Sequence, residues 1–211
     1  MSKAKICGIT ETKDALDAAK YGAAAVGFIF YKKSKRFIGP YKAKKIISSL
    51  PPFLTTVGVF VDQKEGAVKE IAQFCGLHAL QFHGDETPAY CKRFAEKYRV
   101  IKAFRVHPNF TPEIVRPYKD VVSAFLFDAY NEKEKGGTGE TFNWKLIKDA
   151  KDFNVPIILS GGLTPQNVRA AVQEVRPYGV DVSSGVETEP GKKSARLLED
   201  FLNQLIIPLS V

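Results

Sequence analysis

Cys7 ends the short apolar run KIC and stands directly before Gly8, and Asp128 ends the run FLFD. A thiol and a carboxyl at such positions are a candidate base and acid for proton transfer. An ordinary thiol near pKa 8.5 is only about 3% thiolate at pH 7, so a base role calls for a cation close by. Lys5 is the nearest in sequence, and because strand residues alternate sides it shares a face with Cys7. Asp181 and Ser183 share a face in the same way within GVDVS, near the far end of the chain. If those two strands are neighbours, Lys5 and Asp181 form a buried ion pair, since neither charge is tolerated inside alone. The alternative is a Lys5 that leans outward and snorkels to water. Asp128 also has two readings, as an acid or as a cap for the loop that follows it. Cys75 and Cys91 lie in helical segments, IAQFCG and AYCKRF, where a free cysteine is a packing residue.

Two later loops are suited to an anion. After PIIL comes SGGLTP, in which Gly161 and Gly162 leave the backbone open and Thr164-Pro165 read as the opening of a helix with free N–H groups. After GVDV comes SSGVETEPGKKS, where Ser183 and Ser184 are hydroxyl donors and Gly185 again bares the backbone. A third glycine cluster, KGGTGETFNW, matches neither a P-loop nor a dinucleotide pattern and reads as either a cover over a ligand or a surface loop. Arg36, in the basic segment YKKSKRFIGPYKAKK, has the planar fork that suits a carboxylate, whereas Lys32, Lys33, Lys42, Lys44 and Lys45 read as solvated surface. His83, at the end of LQF, either polarises a substrate or is a hydrogen-bonded structural histidine. With His78 and His107 it makes no convincing metal set, so no metal and no cofactor are expected.

These residues need a scaffold that brings strand ends together. Eight apolar runs, KIC, AAVGFIF, LTTVGVFV, HALQF, RVIKAF, SAFLFD, PIILS and GVDVS, alternate with stretches of helical period, roughly every 20 to 33 residues. That pattern predicts an α/β chain folded as one (β/α)8 TIM barrel over residues 1–211, with a doubly wound open sheet as the competitor. Helix boundaries are marked by Gly22 at a C-terminus and by Thr-Pro at the starts of TPAYCKRFAEKY and TPQNVRAAVQEV. In a barrel the reactive groups gather at the C-terminal strand ends, and the loops after strands seven and eight often hold phosphate.

Composition bounds the function. Of 211 residues 45% are hydrophobic and 26% charged, ordinary for a globular protein. The start MSKAKICGIT lacks a secretory leader and no apolar run approaches the ~20 residues of a membrane span, so a cytoplasmic protein with free thiols and no membrane partner is expected. Thirty-one Lys plus Arg against 23 Asp plus Glu give +8, which favours an anionic ligand. A nucleic-acid partner is not expected, because no RNA-binding signature accompanies the charge. The open alternatives are another phosphosugar-binding barrel enzyme and a non-catalytic anion or RNA binder.

Taken together, KICGIT, AVGFIFYKKSKRFI, VGVFVD, LQFHGDE, FLFDA, GGTGETFNW, ILSGGLTPQNV and DVSSGVETEPGKK resemble the phosphoribosylanthranilate isomerase family, in order and over nearly the whole chain. The resemblance implies a cofactor-free Amadori rearrangement of N-(5-phosphoribosyl)anthranilate to the 1-amino-1-deoxyribulose 5-phosphate, in tryptophan biosynthesis. It implies Cys7 as general base, Asp128 as general acid, and Arg36 on the anthranilate carboxylate. The resemblance further implies Gly161, Gly162, Ser183, Ser184 and Gly185 on the phosphate, and His83, from its strand-end position, is expected among the substrate-binding residues. The partner is then a small phosphoribosyl substrate, with the chain a monomer or a homodimer.

Overall fold

A computed structural model describes residues 2–129 and 144–206. The loop KGGTGETFNW, apart from Trp144, lies outside the described residues. Eight parallel strands close into a barrel in chain order: β1 (Lys3–Cys7), β2 (Ala25–Ile29), β3 (Thr55–Phe60), β4 (Ala79–Phe82), β5 (Arg99–Val106), β6 (Ala124–Ala129), β7 (Ile157–Leu159) and β8 (Gly179–Val182). Each coincides with one of the apolar runs read from the sequence, and the open sheet is thereby excluded. Strands with both faces covered carry continuous apolar runs, as all-parallel sheets require.

The two faces differ in size of side chain. Inside the barrel a small cluster holds Val57, Ala79, Ile101, Ala103, Ala124, Leu126 and Ile158. On the outward faces the phenylalanines Phe28, Phe60, Phe82, Phe125 and Phe127 are fully buried under the helices. A narrow interior takes short side chains, and the wider shell takes aromatic ones. The covering helices are α1 (Thr12–Lys20), α2 (Pro40–Ile47), α3 (Glu65–Cys75), α4 (Pro88–Ala95), α5 (Val168–Val175) and α6 (Ala195–Ile206). Each turns an apolar stripe inward; in α6 it is Leu198, Phe201, Leu202 and Leu205, spaced i, i+3, i+4, i+7. The connections into β6 and β7 are 3-10 helices, Pro112–Tyr118 and Trp144–Phe153. In the first, Pro117 removes a backbone donor from the interior and prevents an α-helical ladder.

Thr87 caps α4 as its sequence suggests, its side chain accepting from Tyr90 N, with Pro88 at the first helical position. Thr164-Pro165 do not behave alike, and the expectation of a helix opening there is corrected. Asn167 folds back instead: its Oδ1 accepts from Thr164 N at 2.8 Å and its Nδ2 donates to Gly162 O at 2.8 Å. This local bonding holds residues 164–167 in a turn, and α5 starts at Val168.

The barrel closes between its first and last strands, with Lys5 opposite Asp181. Lys5 Nζ lies 2.7 Å from Asp181 Oδ1, and both side chains are buried. The pair inferred from alternation is therefore present, and the snorkelling alternative is not. Removing one partner leaves an uncompensated buried charge, which costs about 3–5 kcal/mol. Lys5→Met is accordingly expected to lower urea-unfolding stability by about that amount, and Lys5→Met/Asp181→Leu to recover most of it. Equal losses in the single and double variants would contradict this reading.

Candidate active site

Cys7, at the C-terminal end of β1, points inward and lines a cavity at that end of the barrel together with Asp128, His83 and Gln81. Room for the sulfur comes from the strand beside it, where Cys7 is paired with Gly27. A Cβ at Gly27 would lie 2.9 Å from Cys7 Sγ and 3.0 Å from Lys5 Cε, so the glycine is what lets thiol and ammonium occupy one layer. Burial pushes the Cys7 thiol above its ordinary value, and Lys5 pulls the other way by charge and by hydrogen bond. Burial also opposes the charge on Lys5, but Asp181 and the thiol outweigh it and the ammonium is held above its usual value. The site thus favours thiol with ammonium, and a thiolate formed here is a stronger base than a free one. Cys75 and Cys91 are buried, with thiols pushed up to about 11 by desolvation, in keeping with packing roles.

Asp128 projects inward from β6, and its carboxyl makes the local capping contact that was one of its two readings. Its Oδ1 accepts from Ala129 N at 3.0 Å, while its Oδ2 lies 3.2 Å from His83 Nε2. The imidazole is oriented from behind, since Gln81 Nε2 is 3.1 Å from His83 Nδ1. An amide N–H donating there leaves the ring proton on Nε2, facing Asp128. Arg105 Nη2 donates to His83 O at 2.8 Å and pins the same strand end.

The short arc from Asp128 on β6 to Cys7 on β1 runs through β7 and β8, whose loops carry the predicted phosphate residues. Gly161 (φ 88°) and Gly162 (φ 62°) both need the left-handed region, and a Cβ on Gly161 would strike Ala129 N at 2.4 Å. Gly185 serves the packing of the two loops: a Cβ there would lie 1.9 Å from Leu163 O. Its α-carbon thus faces the neighbouring loop, leaving the backbone N–H as what it has to offer an anion. Ser183 also differs from the sequence reading, because its hydroxyl donates to Cys7 O at 3.1 Å. What remains for a phosphate from this segment is the Ser184 hydroxyl and the leading N–H groups of the 3-10 helix Ser184–Val186, which have no partner within it.

Arg36 reaches the cavity rim, but its fork is turned onto a protein carboxylate. Nε bonds Glu187 Oε1 and Oε2 at 2.9 and 3.0 Å, and Nη2 bonds Oε2 at 2.7 Å. Glu187 begins β9 (Glu187–Glu189), which pairs with β10 (Lys192–Lys193) in a small hairpin beyond the barrel. Lys193 Nζ lies 2.7 Å from Glu187 Oε1 and also donates to Cys7 O and Ser183 O. Burial opposes the charge on Glu187, yet Arg36 and Lys193 hold its carboxyl below the usual carboxylate range. Lys32, Lys33, Lys42, Lys44 and Lys45 are exposed, as read from the sequence.

Four residues that shape the site were not singled out by the sequence: Gly27, Gln81, Glu187 and Lys193. Alternation within LQF would have turned Gln81 inward with His83. Glu187 and Lys193 sit in GVETEPGKK, indistinguishable there from a solvated charged loop.

The chain matches the family described as N-(5'phosphoribosyl)anthranilate (PRA) isomerase over residues 4–204. It is 47% identical over 202 residues to the N-(5'-phosphoribosyl)anthranilate isomerase of Trichlorobacter lovleyi, covering 96% of this chain and 97% of that one. The crystal structure of phosphoribosyl anthranilate isomerase from Thermotoga maritima superposes with a TM-score of 0.91 at 43% identity, over 97% of this chain and 98% of the other. A phosphoribosyl anthranilate isomerase solved in complex with reduced 1-(o-carboxyphenylamino)-1-deoxyribulose 5-phosphate superposes with a TM-score of 0.87 at 42% identity, with the same coverage. A barrel with this thiol, carboxyl and pair of glycine loops, alike to these proteins along nearly its full length, belongs to the N-(5'-phosphoribosyl)anthranilate isomerase family.

Proposed function

We propose that this chain rearranges N-(5-phosphoribosyl)anthranilate to 1-(2-carboxyphenylamino)-1-deoxyribulose 5-phosphate, with Asp128 as general acid and Cys7 as general base. The observation that carries the reading is the placing of the two groups across one cavity, with the β7 and β8 loops on the arc between them. The phosphate lies against the backbone of Gly161, Gly162 and Gly185 and the hydroxyl of Ser184. Asp128 gives its proton to the ribose ring oxygen as the C1–O bond breaks, and the nitrogen lone pair forms a cationic Schiff base. That cation acidifies the C2 proton, which the Cys7 thiolate removes; the electron pair left behind neutralises the iminium and yields an enolamine. The enol then loses its hydroxyl proton as C1 gains one, giving the ketone.

Lys5 is the cation that would balance the thiolate, and Asp181 holds Lys5 in place. Arg36 has Nε and Nη2 committed to Glu187, so the anthranilate carboxylate would meet its Nη1 edge rather than the full fork. His83 supports the substrate from the Asp128 side. Among the described residues no helix is long and apolar enough to cross a membrane, and the three cysteines are free. A reducing cytoplasm suits such thiols.

Incubation with freshly prepared phosphoribosylanthranilate should show loss of its fluorescence on addition of the protein. Cys7→Ala and Asp128→Asn are each expected to lower kcat by at least about 10^2- to 10^4-fold, with unfolding and binding of the reduced product analogue nearly unchanged. Near-normal turnover in either variant contradicts the assignment. Because burial holds the Cys7 thiol above its ordinary value, the thiolate fraction is small at neutral pH and grows as pH rises. Alkylation of Cys7 by iodoacetamide, followed by mass spectrometry, should therefore be slow at pH 7 and accelerate through the alkaline range. A rate already at its plateau at pH 7 would show the thiol to be ionised there.

A further inference from the structure

Two buried polar atoms beside Asp128 have no hydrogen-bond partner: Gln81 Oε1 and His83 Nε2. Gln81 is 1% exposed, yet it lines the cavity that also holds Cys7 and Asp128. The other end of its carboxamide is engaged on His83 Nδ1, which fixes the direction in which Oε1 points. His83 Nε2 faces Asp128 Oδ2 but off the line of a hydrogen bond. Buried carbonyl oxygens are almost always bonded, and a bare one costs stability unless something supplies a donor. Both bare atoms belong to residues that line the same cavity as Cys7 and Asp128, where a ligand can offer Gln81 Oε1 a donor and His83 Nε2 an acceptor.

We infer that Gln81 is a further catalytic residue of this site, its Oε1 accepting a hydrogen bond from the amine N–H at C1 of the aminosugar. This rests on the proposed reaction and deepens it. An amide oxygen can only accept, and it cannot take up the proton that Cys7 or Asp128 handles. The amine N–H is the donor that becomes cationic when the ring opens, so an acceptor fixed in a dry site bonds it more strongly in the transition state than in the ground state. The C1 nitrogen adjoins C2, the carbon on which Cys7 acts. Gln81 thereby holds the Schiff base while His83, oriented by the other end of the same amide, stays on Asp128.

The test is Gln81→Met, close in shape and without the acceptor. Turnover of phosphoribosylanthranilate should fall about 10- to 100-fold in kcat/KM, mostly in kcat. Calorimetric binding of the reduced product analogue, which keeps the amine N–H, should weaken about tenfold. Urea unfolding should change little, because the bare buried oxygen is removed together with the donor to His83 Nδ1. Because Met also removes the donor to His83 Nδ1, the comparison is repeated on a His83→Ala background, where adding Gln81→Met should still weaken analogue binding about tenfold. Unchanged turnover and analogue binding overturn the inference. So does an equal analogue affinity in His83→Ala and Gln81→Met/His83→Ala, since Gln81 would then act only through its neighbour. Failure of the wild-type protein itself to turn over substrate would instead sink the proposed reaction, while the analogue-binding comparison would still decide the role of Gln81.

Discussion

The buried ammonium–carboxylate pair of Lys5 and Asp181 is the constraint around which the rest is arranged. It joins the first strand to the last, so the closure of the barrel and the electrostatics of the thiol are set by one contact. A pair of this kind contributes little net stability against an apolar substitute, because desolvation offsets most of the attraction. Its value here is positional. The ammonium lies beneath Cys7 without being free to leave, and Gly27 keeps the layer wide enough for both groups. A hydrophobic pair would close the barrel as well and leave the sulfur without the ammonium that hydrogen-bonds it.

A second charged chain works from outside the barrel. Lys193, Glu187 and Arg36 run in series from the carbonyl of Cys7 to the rim of the cavity. Three side chains from two distant parts of the chain thus fix the end of β1 and the guanidinium in one frame. An arginine bound on two donors loses little further freedom when a ligand arrives, so the ordering has been done in the folding of the protein. Asp128 is supported differently, by its own backbone and by an imidazole held on Gln81. Cys7 and Asp128 therefore have independent supports in the cavity they share.

How much of this was legible in the sequence follows from the range of each interaction. The strands, the inward faces and the Lys5–Asp181 pair follow from alternation plus closure, which are regular and need no side-chain detail. Cys7 and Asp128 could be placed on the rim because each ends an apolar run. The role of Ser183 was not legible, because its hydroxyl turns to a carbonyl on the first strand, 176 residues away in sequence. Nor was the partner of Arg36, 151 residues distant and in a loop with no periodicity to reveal which charges turn inward. Lys192 is exposed and Lys193 buried, a difference carried by a two-residue strand. At Thr164 the local signal for a helix was sound for a single turn, with Val168 N bonded to Thr164 O, but the regular ladder begins only at Val168.

The contact between Gly185 and the carbonyl of Leu163 has a mechanical consequence. Backbone resting on backbone has no rotamer to adjust, so the turns that follow β7 and β8 cannot shift independently of one another. On the proposed reaction, an ester group at either turn would meet a single stiff jaw, and a disturbance to one half would pass to the other. Tolerance to sequence drift should accordingly be lowest along this seam, at positions that never touch the ligand, and highest on the outer helices, where flexible side chains absorb change.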